Sequence, residues 1–356
     1  YINSGSFLFR RFGDNQGSGE NRFVVKSTVD IPINDVEIST DIEFDYLNGS
    51  FNRNYSTPDE LKYGNFQFGI TPKYELKQDD LTLILGVSVF YSKDTEASRS
   101  NIYLYPHVTA SYRLVNDVLI AYGGVEGGLI QNSYYGFATE NPFVSPTLNI
   151  MPTDQLYNGY VGLKGKVTSN MSYNISGRFN SDRNKALFIN NEITATTQNY
   201  SYGNSFGIVY DDVKTVSFAG EINVDVNRNF NLGIKAEYFS YATNRQAEPW
   251  NLPDFKGSLF LDYQIDEHWF AGANLFYIGE RKDQFYLNDP LIVTTPFTVT
   301  LDSYFDANVN LGYHVNDQLS VFAKANNLAN EGYQRWQNFP VQSIQFLAGA
   351  TYKFDF

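Results

Sequence analysis

Cysteine is absent from the 356 residues, which excludes a disulfide framework and any thiolate-bound metal. No stretch holds the roughly 18 consecutive apolar residues of a membrane-crossing helix. Histidine is scarce: the three residues at 107, 268 and 314 lie far apart, without HExxH-type spacing, which argues against a zinc centre. Basic residues are outnumbered, 26 Lys and Arg against 39 Asp and Glu, for a net charge of −13 with no basic block. That balance argues against a nucleic-acid partner. No spacing sets a nucleophile beside a base, so the reading is of a non-enzyme with no cofactor.

Aromatic residues are abundant, 27 Tyr and 29 Phe, and they recur with a period of two. The last stretch, residues 341–356, reads VQSIQFLAGATYKFDF. Ile344, Phe346, Ala348, Ala350, Tyr352, Phe354 and Phe356 alternate with a largely polar set. Such alternation defines a strand with one apolar face. A soluble strand runs about 5–6 residues, whereas a membrane-spanning strand needs about 9–11. Hydropathy per segment is weak in a barrel because only alternate residues meet lipid.

The same design repeats along the chain. Residues 1–13 form a possible first strand, followed by 22–33, 36–47, 65–76, 81–91, 101–114, 118–130, 159–167 and 171–179. Residues 203–227 keep one phase through Tyr210-Asp211-Asp212 and read as a single long strand rising above the lipid. Residues 230–241, 255–265, 269–279, 301–315, 319–328 and 341–356 complete the set. Connections alternate between tight turns, near residues 34–35, 78–79, 116–117, 169–170, 227–228, 266–267 and 316–317, and longer loops. The loops fall near 47–61, 93–100, 131–154, 183–202, 242–254, 280–299 and 329–340. This alternation predicts an all-β protein, a transmembrane antiparallel up-and-down β-barrel of about 16 strands, with short periplasmic turns and long extracellular loops. It predicts one domain over residues 1–356, in the bacterial outer membrane and in contact with its lipid. Closure is expected, because a lipid-exposed sheet edge leaves backbone groups unsatisfied.

Residues 301–354 (LDSYFDANVNLGYHVNDQLSVFAKANNLANEGYQRWQNFPVQSIQFLAGATYKF) join an Asp/Asn-alternating strand, a tight turn, a strand ending in Asn326-Asn327-Leu328, an aromatic loop and a closing strand. Together with KALFIN at 185–190, Tyr210-Asp211-Asp212 and Glu248-Pro249-Trp250, they resemble the barrel of TonB-dependent receptors of the Bacteroidetes type. The aromatic end at Tyr352, Phe354 and Phe356 resembles the assembly signal of outer-membrane barrels. The resemblance implies nutrient uptake, with a TonB complex as partner through an upstream region. It also has departures. Family members have 22 strands, a plug and a TonB-contacting segment, and residues 1–356 supply about 16 strands and neither of the other parts. Two further readings therefore stand: a non-transporting barrel subunit of an outer-membrane or surface lipoprotein complex, and a diffusion porin.

Two residue sets are candidates for function. Glu37, Asp41, Glu43 and Asp45, with Glu221 and Asp225 on a later strand, form an inward acidic row. It can attract cations, or it can be a hydrated wall paired with Arg22, Lys26, Lys73 or Arg113. Asp302 and Asp306 fall short of the 6–8 oxygen ligands calcium takes. The second set lies on loops, where binding residues concentrate: Tyr134, Tyr135, Phe137, Phe143, Tyr333, Trp336 and Phe339. These rings can stack on a sugar, a hydrophobic chelate or a partner protein, or simply pack the loops over the barrel mouth.

Overall fold

The computed structural model describes residues 2–33, 36–194, 198–286 and 296–354. Sixteen strands form one antiparallel sheet in which each pairs with the next sheet strand along the chain. The first seven are β1 (Ile2–Gly13), β2 (Gly19–Ile33), β3 (Val36–Phe51), β4 (Leu61–Gln78), β5 (Leu81–Asp94), β6 (Arg99–Val115) and β7 (Leu119–Ile130). After helix α1 (Tyr134–Glu140) come β8 (Thr153–Thr168), β9 (Met171–Asn190), β10 (Phe206–Asn227), β11 (Phe230–Thr243), β12 (Phe255–Gln264) and β13 (Trp269–Ile278). A separate hairpin, β14 (Arg281–Phe285) with β15 (Phe297–Leu301), precedes β16 (Tyr304–His314) and β17 (Leu319–Asn326). A second small hairpin, β18 (Gln334–Trp336) with β19 (Phe339–Pro340), precedes the last strand, β20 (Gln345–Tyr352).

Register follows the apolar alternation. Phe7 pairs with Val25, Val25 with Phe44, Phe44 with Phe68, and Phe68 with Tyr91, so one apolar row runs across five strands. A one-residue slip would turn the whole row to the opposite face. The outer side is strongly exposed, as at Ile102 (75%), Val161 (69%) and Phe218 (62%). A sheet in water buries such a face; one in a bilayer presents it to lipid. On the lumenal side, rings lie flat over glycines of the adjacent strand. Phe260 faces Gly233 and Phe270 faces Gly312 in direct cross-strand pairs, and a Cβ at either glycine would overlap the ring. The rings thus cover backbone that has no side chain of its own to pack.

The strand number agrees with the sequence reading, and closure does not. Among the described residues β1 pairs only with β2 and β20 only with β17, so the sheet is open. The tight turns among the described residues all lie at one end, as expected; the one expected at 34–35 is outside the described residues. At the other end, β4, β8 and β9 run 18, 16 and 20 residues, well past the stretches read from alternation. The loop expected near 93–100 shrinks to four residues between β5 and β6. β10 is one strand of 22 residues. Its pairing with β9 shifts between Asp211 and Val213, opposite Lys185 and Asp182. β9 advances three residues there against two on β10, through Asn184 at φ 51°, so β10 keeps its phase.

Candidate functional site

The extracellular loops fold onto the upper strands. Buried carboxylates hold them by accepting backbone N–H groups, which must be paired once removed from water. Glu20 at the top of β2 accepts from the Tyr134 and Tyr135 amides, at 2.6 and 3.2 Å, and from the Tyr63 hydroxyl at 2.9 Å. It thereby anchors the start of α1, whose N-cap Ser133 accepts from the Gly136 amide at 3.0 Å. Asp211 on β10 receives the amides of Asn244, Arg245 and Gln246 at 2.9–3.0 Å and fixes the β11–β12 loop. Asp283 on β14 accepts from the Asn190 and Gln284 amides at 3.0 and 2.8 Å. Burial outweighs these bonds and pushes its carboxyl up to about 6. Arg281, 5% exposed, donates to the Arg335 and Gln334 carbonyls at 2.6 and 3.0 Å and ties the two small hairpins together.

Around these anchors the loops form an apolar cluster. Leu47, Phe51, Tyr134, Phe137, Phe188, Phe206 and Trp336 are buried together. Tyr134 meets Phe12 and Phe51 edge-on at 5.0 Å, and Phe137 meets Phe188 at 5.8 Å. Tyr135 packs on Phe12 and under the Arg10 guanidinium, 3.8 Å from its ring centre. Both faces of the β9–β10 hairpin are covered: Phe188 and Phe206 by this cluster, Leu187 and Val213 by Trp250.

Phe143, Tyr333 and Phe339, with Trp336 from the edge of the cluster, line a half-open cavity of about 500 Å³. Asp306, Asn326, Asn327, Arg335, Gln342 and Gln345 supply its polar lining. Phe143 and Phe339 stack with ring centres 3.5 Å apart, and Tyr333 stacks on Tyr304 at 3.8 Å. The Tyr333 hydroxyl donates to Asp306 at 2.8 Å; burial and that carboxylate push the phenol up from its ordinary range. A larger apolar depression, about 940 Å³, lies on the lipid side near Tyr112, Val161, Phe218 and Tyr238.

The acidic row does not converge. Asp45 is bound by Arg22 through two bonds of 3.0 and 2.5 Å, Glu43 by Lys26 at 2.8 Å, and Asp41 by Lys73 at 2.5 Å. Glu37 shares the strand with them. Glu221, which accepts from Asn223 at 2.8 Å, and Asp225 lie on β10, seven strands away in the sheet. Among the described residues no three His, Asp or Glu side chains are grouped to hold a metal. At the C-terminal strand Tyr352 donates to Gln318 at 2.9 Å and meets Phe354 edge-on at 5.0 Å; Phe356 lies outside the described residues.

No family model matches the sequence, and no curated protein matches it. Solved structures do. The pyoverdine outer-membrane receptor FpvA from Pseudomonas aeruginosa PAO1 matches with TM-score 0.67 at 14% identity, over 98% of this chain and 57% of that one. The siderophore receptor PirA from Acinetobacter baumannii gives 0.66 at 13%, over 95% and 55%. The copper transporter OprC gives 0.63 at 14%, over 95% and 57%. The fold is therefore that of the barrel of TonB-dependent receptors. The chain spans a little over half the length of each of these proteins.

Proposed function

We propose that this chain is barrel wall of an outer-membrane receptor that takes up a nutrient. The observation that carries the reading is the anchored loop assembly over the extracellular end, packed beside a half-open cavity rather than splayed from the strands. Binding surfaces on rigid scaffolds are built this way. The named activities of FpvA, PirA and OprC, pyoverdine and siderophore reception and copper transport, support uptake as the class. In this reading residues 1–356 act as one domain in the outer-membrane lipid, and the free edges of β1 and β20 pair with further strands, since lipid cannot satisfy them. A TonB complex would supply the energy through parts of the receptor beyond this wall. The acidic row serves as a hydrated, internally neutralised wall.

The packed loops also fit a barrel subunit that transports nothing and holds lipoprotein partners; they disfavour an open diffusion porin. Deleting the gene and comparing growth across limiting nutrient sources tests the proposal. Loss of growth on one source, restored by the gene and dependent on TonB, is expected. Unchanged growth on every source, with a partner co-purifying at fixed ratio, would instead establish the non-transporting subunit. Large conductance in planar bilayers without an energy source would establish the porin.

A further inference from the structure

Charge on the lipid face of β1–β5 is confined to one sign and to one end. The row Phe7, Val25, Phe44, Phe68 and Tyr91 fixes the outward phase of these strands. Along that phase they hold three charged residues, Arg11, Lys62 and Lys93, all cations and all at the extracellular end. Their carboxylates, among them Glu37, Asp41, Glu43, Asp45 and Glu75, take the opposite phase. Toward the periplasm the outward positions are apolar, as at Ile31, Ile38, Leu76 and Leu83.

Two of the cations share a depression. Arg11, Asn21 and Asn48 are direct cross-strand partners, and Ser50 pairs with Lys62 one outward row higher. These five residues line a half-open depression of about 310 Å³. Gly19 is also in its lining, and a Cβ there would meet nothing within 4 Å. The next outward row down is aromatic, Phe9, Phe23, Tyr46 and Phe66, and ends on Lys93. Rings in such a row mark the membrane interface. Two carboxylates reach the depression as well: Glu20, buried and committed to the α1 amides, and Glu96 on the β5–β6 turn. Lys62 has Glu60 at 3.1 Å in an exposed pair, which holds it weakly; Arg11 makes no ion pair among the described residues. We propose that this depression seats the phosphate of an outer-leaflet lipid. A guanidinium fork matches phosphate oxygens, and the two amides and the Ser50 hydroxyl supply further donors. Basic side chains at a membrane surface attract anionic headgroups, and the aromatic row lies where the acyl chains of that lipid descend. Confinement of the cations to the extracellular end selects the outer leaflet. The site is independent of what the barrel carries.

The test is native mass spectrometry of the full protein, purified from its own outer membrane and delipidated in neutral detergent. It is titrated with dioleoylphosphatidic acid, with dioleoylglycerol, which lacks the phosphate, and with glycerol 3-phosphate, which lacks the chains. Phosphatidic acid is expected to bind, and the other two far more weakly. Arg11→Gln and Lys62→Gln are each expected to weaken that binding about fivefold, the scale of one cation beside an anionic headgroup. Gly19→Leu keeps every charge and puts a side chain into the open space, and it is expected to weaken binding to a similar degree. Lys235→Gln removes a lumenal cation, paired across the sheet with Glu221, and should change nothing. Heat-modifiable mobility checks that each variant is folded. Equal binding of dioleoylglycerol, or displacement of the lipid by glycerol 3-phosphate alone, would overturn the site. So would a loss in Arg11→Gln without one in Gly19→Leu, because the contact would then be diffuse attraction rather than a seat. The readout is lipid binding and not growth, so its failure and that of the receptor reading are separate results.

Discussion

Single residues at the extracellular end decide whether the loops are part of the structure or excursions from it. Glu20 is 1% exposed and receives two α1 amides and a tyrosine hydroxyl. Glu20→Ala leaves these donors without their acceptor, a cost of about 1–3 kcal/mol per buried group. Residues 131–152 are expected to exchange amide protons and yield to protease far faster in that variant, while the strands below stay protected. Tyr63→Phe removes one donor only and is expected to act more weakly. Asp283 makes the β14–β15 hairpin sensitive to pH. Its folded pKa, about 6, exceeds the ordinary aspartate value of 3.8. The folded form thus binds the proton more tightly, and the stabilisation is complete below about 4 and lost as pH rises through about 6. Hydrogen exchange at Asn190 and Gln284 should therefore be slower at pH 5 than at pH 8, after correction for intrinsic rate, and Asp283→Asn should flatten the difference. Little of this was legible beforehand. Glu20 lies just before the first clear apolar alternation, and nothing in its neighbours marks it as the partner of an amide 114 positions away. The loop aromatics were legible as a set, because seven rings in polar, proline-bearing loops are unusual. Which four line the cavity depends on hairpin packing that composition does not encode.

At the scale of elements, alternation gave the lipid-facing halves of the strands and failed above them. Residues 171–179 alternate cleanly, whereas β9 continues to Asn190 with Leu187 and Phe188 both buried. A strand covered on both faces loses its two-residue period, and so the extracellular extensions read as loop. The β14–β15 and β18–β19 hairpins have strands of only two to five residues, and turn propensity alone does not separate them from irregular chain. β10 kept its phase and was readable through the Asp-Asp step because the irregularity falls on β9. The glycine–aromatic pairs predict how rigid the lumenal wall is. Gly233→Ala and Gly312→Ala each force a Cβ into a ring and are expected to cost about 1–3 kcal/mol, the range of overpacking. Gly220→Ala, on the lipid side with nothing within 4 Å of its Cβ, should be neutral. Heat-modifiable mobility on gels, which separates folded from unfolded barrels, checks all three.

For the whole molecule, the ordering of apolar outside and polar inside fixes how the sheet must sit. Val161 and Phe218 belong to one outer row through Gly177, which pairs with both. Ser176, one residue earlier on β9, faces the lumen, paired with Gly162 and Ala219. A soluble sheet would bury the first two against a second layer and expose the third. A barrel wall does the reverse with respect to lipid. Arginine on the lipid face costs about 2–4 kcal/mol at the bilayer midplane and far less near the interfaces or in the lumen. Val161→Arg and Phe218→Arg should therefore lower the folding free energy in phospholipid vesicles by that amount, while Ser176→Arg should change it by less than about 1 kcal/mol. Equal penalties at all three positions would mean that the two faces see the same solvent, and the orientation of the sheet in the membrane would have to be abandoned. A penalty at Ser176 alone would turn the sheet inside out, taking the loop cavity and its lumenal amides with it.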